Sequence, residues 1–414
     1  LARLNRGRLK PAARSGIMDT KRICPDKEKK QMKLFHLSDL HIGARLFGRD
    51  LLADQSYVFD QIIAYAAQEQ PDAIVIAGDL YDKAIPSAEA VETFDRLISG
   101  LTQAAPQAEI MIISGNHDSA PRLNVFRSVL QPHKIHMIGL PPQTPDEAIE
   151  QVTLRDAYGD VHFYLLPFVK PSMVKAIVGT EENGNNLSYD DTLHRLIGRE
   201  AIDPAARNVL VSHQFYLPVG ASADSIERMD SEIVTVGNID SVRGDVLERF
   251  DYAALGHIHK PMRVGGDRFR YCGTPLACSV SEAGQQKGVV LVELGEKGSV
   301  ATSVLPLTPL HEVRILRGTL TEVLAQACAD YVTVILTDRV DLDVIDMQDR
   351  LRTAFPNLLE IRRETLRRAA YQAQSVDAAA LDPFALCSSF LSDLDVDEQA
   401  LLRDVINTVQ EVQA

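Results

Sequence analysis

The amino-acid sequence predicts a mixed α/β (α+β) protein with a large layered domain, a smaller α/β domain and a helical tail. Between residue 32 and about residue 305, short apolar runs alternate with longer amphipathic stretches. This is the pattern of strands that are buried on both faces and covered by helices. Polar clusters follow several of the apolar runs directly. Since sites in layered α/β proteins assemble at strand ends, we expect the chemistry to lie in these clusters.

Six short apolar runs are predicted to be buried strands of the large domain: residues 33–38, 73–77, 110–114, 162–167, 209–212 and 252–255. Two intervening helices are predicted from apolar residues at helical spacing. Their faces consist of Val58, Phe59, Ile62, Ile63 and Ala66, and of Val91, Phe94, Leu97, Ile98 and Leu101. The runs 288–294 and 302–305, together with nearby turn glycines, predict hairpin strands that close the domain at about residue 305.

A second, smaller unit is predicted over residues 306–370 from the order strand, helix, strand, helix, strand. These elements cover residues 313–316, 320–329, 332–337, 344–354 and 358–362. Residues 371–414 are predicted to form a polar linker and a helical tail. The tail is rich in apolar residues from Phe384 onwards. It either packs on the chain's own surface or binds the groove of a partner.

Composition places the chain among soluble globular proteins. Of its 414 residues, 45% are hydrophobic and 24% are charged, which is ordinary for this class. The sequence contains no apolar run of the roughly 20 residues that a membrane span needs, and no secretion signal. Its five cysteines include no CxxC pair and are predicted to be reduced thiols. We therefore expect a cytoplasmic location and no membrane association.

Charge is distributed unevenly along the chain. Residues 1–31 carry ten Lys or Arg and three Asp or Glu, so the rest of the chain carries a net charge of −21. This leader is either a nucleic-acid-binding arm or sequence upstream of the natural start. We favour the second interpretation, because a complete strand begins at residue 33. The acidic remainder restricts contact with a polyanion to local basic surfaces or to a partner.

Potential metal ligands are grouped behind the predicted strands as a two-metal centre requires. Two cations about 3.5 to 4 Å apart activate water and neutralise charge in phosphoester hydrolysis, and imidazole and carboxylate ligands suit such sites. The groups are Asp39 and His41, Asp79 and Asp82, Asn116, His117 and Asp118, His213, and His257 and His259. Each short motif alone occurs by chance in structural positions, so the prediction depends on all five occurring in this order.

The series DxH, GDxxD, GNHD, H and GHxH resembles that of the calcineurin-like metallophosphoesterases and spans roughly residues 32–294. The runs GDLYDKAIPSAEAV, GNHDSAPRL and YCGTPLACSVSE are similar to those of the SbcD nucleases within this superfamily, as are the cap and the helical tail. The resemblance implies a four-layer αββα sandwich for residues 32–305. It also implies a DNA-recognising cap for residues 306–370 and a partner-binding tail within residues 371–414.

The resemblance implies two metal positions with Asp79 as the shared ligand. One would be held by Asp39, His41, Asp79 and His259, and the other by Asp79, Asn116, His213 and His257. Mn²⁺ is the expected ion, although the ligand set also suits Fe, Co or Zn.

Three further residues have expected catalytic roles. His117 would stabilise the transition state or protonate the leaving oxygen. Asp118 would orient His117, since carboxylates commonly orient imidazoles. Asp82 would belong to the catalytic loop without binding a metal directly.

The activity implied by the resemblance is 3′ to 5′ degradation of double-stranded DNA ends and cutting of single strands and hairpins. The implied partners are DNA, a second copy of the chain and an SbcC-type ATPase, in an assembly of two plus two. Arg122, Arg362 and Arg363 are candidate DNA contacts, although a surface salt bridge and a solvated face are the alternatives.

Two rival functions remain open from sequence. One is a phosphoesterase of the same scaffold that acts on small molecules, and the other is a scaffold protein whose metal site only stabilises the fold.

Overall fold

A computed structural model describes residues 31–125, 127–232, 240–338, 344–364, 384, 387 and 395–413. The predicted leader up to residue 30, the predicted linker and most of the apolar segment 384–394 lie outside the described residues. No described helix combines the length and the apolar character that crossing a lipid bilayer requires.

Two six-stranded sheets form the large domain. The first contains, in spatial order, β16 (Val300–Pro306), β15 (Gly288–Leu294), β1 (Met32–Leu37), β4 (Ala73–Ala77), β5 (Glu109–Ile113) and β6 (Ile135–Ile138). The second contains β13 (Met262–Arg263), β14 (Phe269–Tyr271), β12 (Tyr252–Gly256), β9 (Arg207–His213), β8 (Gly159–Leu166) and β7 (Glu150–Asp156). Two short pairs complete the set: β2 (Arg45–Leu46) with β3 (Arg49–Asp50), and β10 (Phe215–Leu217) with β11 (Ser241–Arg243).

The centre of each sheet is parallel, which brings the polar clusters to common edges. Strands β1, β4, β5 and β6 run parallel to one another, and β15 pairs antiparallel with β1. In the second sheet β9 and β12 are parallel, and His213 lies opposite Gly256. Because parallel strands end on the same side, the loops that carry the predicted ligands are neighbours.

Helices cover the outer face of each sheet, so the predicted four-layer sandwich is confirmed. Helices α1 (Leu52–Glu69) and α2 (Ala88–Ala104) pack on the first sheet. Helices α5 (Pro171–Val178) and α6 (Tyr189–Gly198) pack on the second. One predicted core residue of α2 is wrong: Val91 is 45% exposed. Ala90 is buried instead. It is the residue in the first turn of α2 that faces the sheet.

His36 joins the two sheets within their shared core. Its Nε2–H donates to the carbonyl of Leu255 at 3.1 Å, and its Nδ1 accepts from the Tyr252 hydroxyl at 2.9 Å. The carbonyl of Leu255 requires a proton on Nε2, and the Tyr252 hydroxyl can then donate to Nδ1 of the neutral ring. Burial lowers the pKa of His36 to about 3, and the nearby Arg270 guanidinium acts in the same direction.

A small α/β domain follows the sandwich, with its three strands in the predicted order. Its parallel sheet contains β17 (Val313–Gly318), β18 (Tyr331–Leu336) and β19 (Leu358–Arg363), with helices α7 (Leu320–Leu324) and α8 (Val344–Ala354). The predicted end of the first helix is wrong, since α7 stops at Leu324. The following residues turn back so that β18 can pair with β17. The remaining helices are α3 (Ala120–Leu123), α4 (Arg127–Leu130) and α9 (Val396–Gln413).

Buried polar contacts fasten this cap to the sandwich. Asp54 of α1 is 2% exposed and accepts hydrogen bonds from the Tyr331 hydroxyl at 2.9 Å and the His311 backbone N–H at 3.2 Å. Arg49 donates to Asn357 at 3.1 Å and to the carbonyl of Leu358 at 3.3 Å. Strand β3, which carries Arg49, and helix α1, which carries Asp54, therefore set the orientation of the cap.

We expect Asp54→Ala to lower the free energy of unfolding by about 2 to 3 kcal/mol, because it leaves the Tyr331 hydroxyl without a partner in a poorly hydrated position. Asp60→Ala is the matched control, since Asp60 lies on the same helix and is exposed. Urea unfolding of both variants measures the difference. Equal midpoints would contradict a role for Asp54 in holding the cap.

We also expect His36 to make stability depend on pH. The folded-state pKa of His36 lies below the ordinary value of about 6.5, so the unfolded chain binds a proton that the folded chain does not. The contribution of His36 to the free energy of unfolding is therefore fully present at about pH 8 and is smaller by about 2 kcal/mol at about pH 5. His36→Gln should lose this part of the pH dependence in urea unfolding, and replacing the exposed His133 by Gln should retain it.

Candidate metal centre

The two sheets bring all seven predicted metal ligands to one edge of the sandwich. Backbone hydrogen bonds join the first two loops: the N–H of Asp39 donates to the carbonyl of Gly78, and that of His41 to the carbonyl of Asp79, each at 3.0 Å. The second sheet is joined to the first by the His257 N–H, which donates to the Asp39 carboxylate at 3.0 Å. Side chains distant in sequence are thus held together by main-chain contacts.

The backbone at the strand ends is strained. Among the described residues, seven non-glycine residues have a positive φ, and four of them are predicted ligands: Asp39 (51°), His41 (42°), Asp79 (50°) and His257 (103°). Such conformations cost about 1 to 3 kcal/mol each and persist where the surroundings impose them, often at functional sites. Because this strain destabilises the fold, its concentration at these positions indicates a functional role for the side chains.

Glycine is required at two of these turns for different reasons. Gly78 has a φ of +88°, and a Cβ there would lie 2.3 Å from Nδ1 of His213. Gly115 has an ordinary φ, but its Cβ would lie 2.1 Å from Oδ1 of Asp79. Gly78 therefore permits a sharp turn, whereas Gly115 permits the close approach of two loops.

Asp39, His41 and His259 form one group of potential ligand atoms. Nε2 of His259 lies 3.0 Å from Nε2 of His41 and 4.0 Å from Oδ1 of Asp39. Oδ2 of Asp79 is 3.7 Å from Nε2 of His41. These are the four residues predicted for the first metal position.

The four residues predicted for the second position also lie together, with two imidazoles beside the amide of Asn116. Its Oδ1 lies 3.0 Å from Nε2 of His213 and 2.9 Å from Nδ1 of His257. Oδ2 of Asp79 lies 3.3 Å from Nε2 of His213. Asp79 therefore borders both groups through the same carboxylate oxygen, as a shared ligand would.

The chemistry of these donors fits divalent metal ions. Nδ1–H of His213 donates to the carbonyl of Ala77 at 2.7 Å, which directs the Nε2 nitrogen towards Asp79 and Asn116. Mixed imidazole, carboxylate and amide ligands suit borderline transition metals. The histidine and aspartate clusters are therefore candidate sites for divalent metals.

Electrostatics in the centre favour positive charge. Burial by itself lowers the pKa of His213, but the carboxylates of Asp79 and Asp39 outweigh it and raise this pKa to about 9. Burial raises the pKa of Asp39 to about 6, against the opposing effect of His213 and His259. For Asp79, burial raises the pKa, whereas His213 and His117 bring it well below its ordinary value.

His117 is half-buried beside the predicted ligands and has its orientation fixed by backbone. Its N–H donates to Oδ1 of Asp79 at 2.8 Å, and its Nδ1–H donates to the carbonyl of Asp82 at 3.0 Å. Nε2 of His117 makes no hydrogen bond with any described residue. This nitrogen is the one that remains for a substrate. The Asp82 carboxylate lies 3.9 Å from Nδ1 of His41, so its side chain faces the first group.

Asp118 was expected to orient His117, but it makes other contacts. The Nδ1–H of His117 donates to the carbonyl of Asp82 instead. The Asp118 carboxylate accepts from the backbone N–H groups of Leu80, Tyr81 and Gly115, at 3.1, 3.0 and 2.9 Å. It thereby joins the loop of Asp79 to the loop of Asn116. Burial and the Asp79 carboxylate raise its pKa to about 6.

A cavity of about 370 Å³ adjoins the first group and is lined by residues of both domains. His41 and Asp82 contribute from the sandwich, and Arg362 contributes from the cap. Of the other candidate DNA contacts, Arg363 lies near Met347, and Arg122 is exposed on α3 without a salt bridge to any described residue. Neither of them lines this cavity.

Sequence analysis missed a set of polar residues behind the predicted ligands. Ser231 lies 2.7 Å from Nδ1 of His259, and Glu232 accepts from the His259 N–H at 2.8 Å. Arg228 lies 2.9 Å from Nε2 of His257, and Glu282 is buried close by. Glu282 belongs to the quoted run YCGTPLACSVSE, but no motif or periodicity pointed to the other three.

We expect Gly115→Ala to weaken the binding of a divalent metal on the order of 100-fold, because the new Cβ forces the shared Asp79 carboxylate to move. Gly266→Ala is the control, since its Cβ would meet no atom within 4 Å. Equilibrium dialysis with metal analysis compares the two variants. Equal binding would show that the position of Asp79 is unimportant.

Comparison with known proteins extends these observations. The model of the calcineurin-like phosphoesterase family matches residues 32–261. The model of the type 5 capsule protein repressor C-terminal domain, which is also named for SbcD, matches residues 309–394.

Several solved structures are similar to this chain at low sequence identity. The protein TT1561 of Thermus thermophilus is 11% identical, with a TM-score of 0.38 over 66% of this chain and 99% of that one. The phosphopantetheinyl hydrolase of Mycobacterium tuberculosis is 16% identical, with a TM-score of 0.33 over 60% and 91%. A dimetal phosphatase from Danio rerio is 13% identical, with a TM-score of 0.36 over 67% and 99%. The first match covers more than half of the chain and the second covers the cap, and the chain belongs to the calcineurin-like phosphoesterase family as an SbcD-type metallophosphoesterase.

Proposed function

We propose that the chain is the nuclease subunit of a DNA-processing complex, a 3′ to 5′ exonuclease on double-stranded ends and an endonuclease on single strands and hairpins. The observation that carries this proposal is the cavity shared by His41, Asp82 and Arg362. It places a cap guanidinium on the same opening as a predicted metal ligand. A polymeric phosphodiester could contact the cap while one of its phosphates lies at the centre.

Other residues of the cavity also favour a nucleic acid over a small phosphoester. Arg45 adds a second guanidinium, and Phe47 is 55% exposed. Guanidinium groups bind phosphates, and exposed aromatic rings stack on unpaired bases. Single strands and hairpin loops offer both features.

Seven side chains would hold two divalent ions, which we propose to be Mn²⁺. The first position would use Asp39, His41, Asp79 and His259, and the second Asp79, Asn116, His213 and His257. When bound, the pair of ions supplies an activated water and neutralises charge on the phosphoryl oxygens.

His117 would act on the substrate from the edge of this centre. Its Nδ1–H is held by the carbonyl of Asp82, so Nε2 is available to the departing oxygen or to a phosphoryl oxygen. Asp118 would support the reaction by holding the loops of Asp79 and Asn116 together.

The negative charge of the chain favours DNA binding that is shared with a partner protein. Outside residues 1–31 the net charge is −21, which leaves only local basic surfaces for phosphate contacts. We propose an SbcC-type ATPase as the partner that provides further DNA-binding surface in the cytoplasm. Helix α9 is available for such a partner, since Val396, Leu401 and Val405 are 82%, 65% and 49% exposed.

A second copy of the chain would complete an assembly of two plus two. Large apolar side chains are exposed in the segments that follow GDLYD and GNHD. They are Ile85 and Val91 in the first segment, and Val125 and Val129 in the second. Exposed apolar side chains in these two segments are consistent with a homodimer contact there.

We expect His117→Leu to lower Mn²⁺-dependent cleavage of a labelled DNA hairpin by about 10²- to 10⁴-fold, the usual contribution of a general acid or base. Metal content should stay at the wild-type value, because His117 is not among the proposed ligands. Removal of metal with EDTA should abolish cleavage in the wild type. Replacing the exposed His133 by Leu is the matched control and should leave cleavage unchanged.

Three outcomes would decide against the proposal in different ways. Cleavage of bis-p-nitrophenyl phosphate without cleavage of the hairpin would indicate a small-molecule phosphodiesterase. Bound metal with no cleavage of either compound would indicate a structural site. Unchanged hairpin cleavage by His117→Leu would remove the catalytic role of His117.

A further inference from the structure

Glu282 is a carboxylate with 1% exposure that lies outside the proposed ligand set. Both of its oxygens accept hydrogen bonds from the chain. Oε1 accepts from Ser231 Oγ (2.9 Å), Ser279 Oγ (3.0 Å) and the N–H of Cys278 (3.2 Å), and Oε2 accepts from Thr274 Oγ1 (2.7 Å) and Lys287 Nζ (2.7 Å). Every partner is a donor, so the site is built for an ionised carboxylate, which only accepts.

The charge of Glu282 is maintained by its neighbours. Burial favours the neutral acid, but five hydrogen-bond donors, one of them the Lys287 ammonium, stabilise the carboxylate. Lys287 is itself 7% exposed and pairs with Glu282 in the interior. A buried carboxylate that holds its charge can polarise a neighbouring donor strongly.

A chain of hydrogen bonds leads from Glu282 to the imidazole of His259. Because the carboxylate only accepts, the Ser231 hydroxyl must donate to it. The oxygen of Ser231 then accepts from Nδ1–H of His259, 2.7 Å away. With the proton on Nδ1, the lone pair of His259 lies on Nε2, which faces His41 and Asp39.

The same network also holds the backbone of His259. Lys287 Nζ donates to the His259 carbonyl at 3.0 Å, and Glu232 accepts from the His259 N–H at 2.8 Å. Main chain and ring are therefore fixed together. The ring of His259 cannot rotate without moving Nδ1 away from Ser231, at 2.7 Å, and from Oε1 of Glu282, which lies 3.6 Å from the same nitrogen.

We propose that Glu282 is a positioning residue which, through the Ser231 hydroxyl, sets the tautomer and orientation of His259 and thereby the metal affinity of the first position. This inference rests on the proposed metal-dependent function. Carboxylates behind metal-binding histidines commonly contribute about 10- to 100-fold in affinity. His213, a proposed ligand of the second position, instead donates its Nδ1–H to the neutral carbonyl of Ala77. The two positions therefore differ in how their imidazoles are supported.

Two serine substitutions of equal size test the proposal. Ser231 and Ser279 both donate to Oε1 of Glu282, but only Ser231 contacts His259. Ser231→Ala should weaken one of two Mn²⁺ binding steps by about 10- to 100-fold. Ser279→Ala should leave both steps within about twofold. Ser231→Thr, which keeps a hydroxyl, should restore the affinity.

The measurement is a titration of the full chain with Mn²⁺, in which the EPR signal of the free ion gives the bound fraction. Thermal unfolding without metal should give the same midpoint for the two alanine variants. Glu282→Gln should reproduce the loss seen in Ser231→Ala, because an amide cannot accept from all five donors.

Equal Mn²⁺ affinity of Ser231→Ala and Ser279→Ala would overturn the proposal. Loss of both binding steps together in Ser231→Ala, or no recovery in Ser231→Thr, would overturn it as well. A wild-type chain that binds no Mn²⁺ would instead contradict the proposed metal-dependent function. The two failures are therefore distinguishable in the same titration.

Discussion

The Asp79 carboxylate connects three loops that come from different strands of the two sheets. One oxygen accepts the N–H of His117 at 2.8 Å, and the other lies 3.3 Å from His213 and 3.7 Å from His41. Its position requires Gly115 to have no side chain. Because the same carboxylate borders both ligand groups, any movement of Asp79 would disturb both proposed metal positions and the orientation of His117 together.

The rest of the sandwich compensates for what this arrangement costs. Positive φ values at four ligand positions and several buried charges all destabilise the folded chain. A continuous apolar core between two six-stranded sheets offsets them, and the parallel register holds the strand ends in place. His36 adds a polar link between the sheets three residues before Asp39, which limits how far the two halves of the centre can slide past each other.

Sequence reasoning succeeded where chemistry follows directly from local pattern. The strands could be predicted because buried parallel strands have continuous apolar runs, whereas the four-layer arrangement was implied by the family resemblance. The proposed ligands could be named because they follow those runs in recognisable motifs. It failed for Val91, where the helical face alone does not say whether Ala90 or Val91 meets the sheet. It missed Ser231 because the contact with His259 joins residues 28 positions apart with no periodic signal between them.

The hairpin of β2 and β3 explains how the cap and the centre are related in space. It follows His41 directly, contributes Arg45 and Phe47 to the cavity, and then presents Arg49 to the carbonyl of Leu358 in the cap. A proposed metal ligand, the lining of the cavity and an anchor of the cap are thus consecutive along one short segment. A displacement of the cap would therefore act on the cavity through this segment, and the distance between a bound phosphate and Arg362 would change with it.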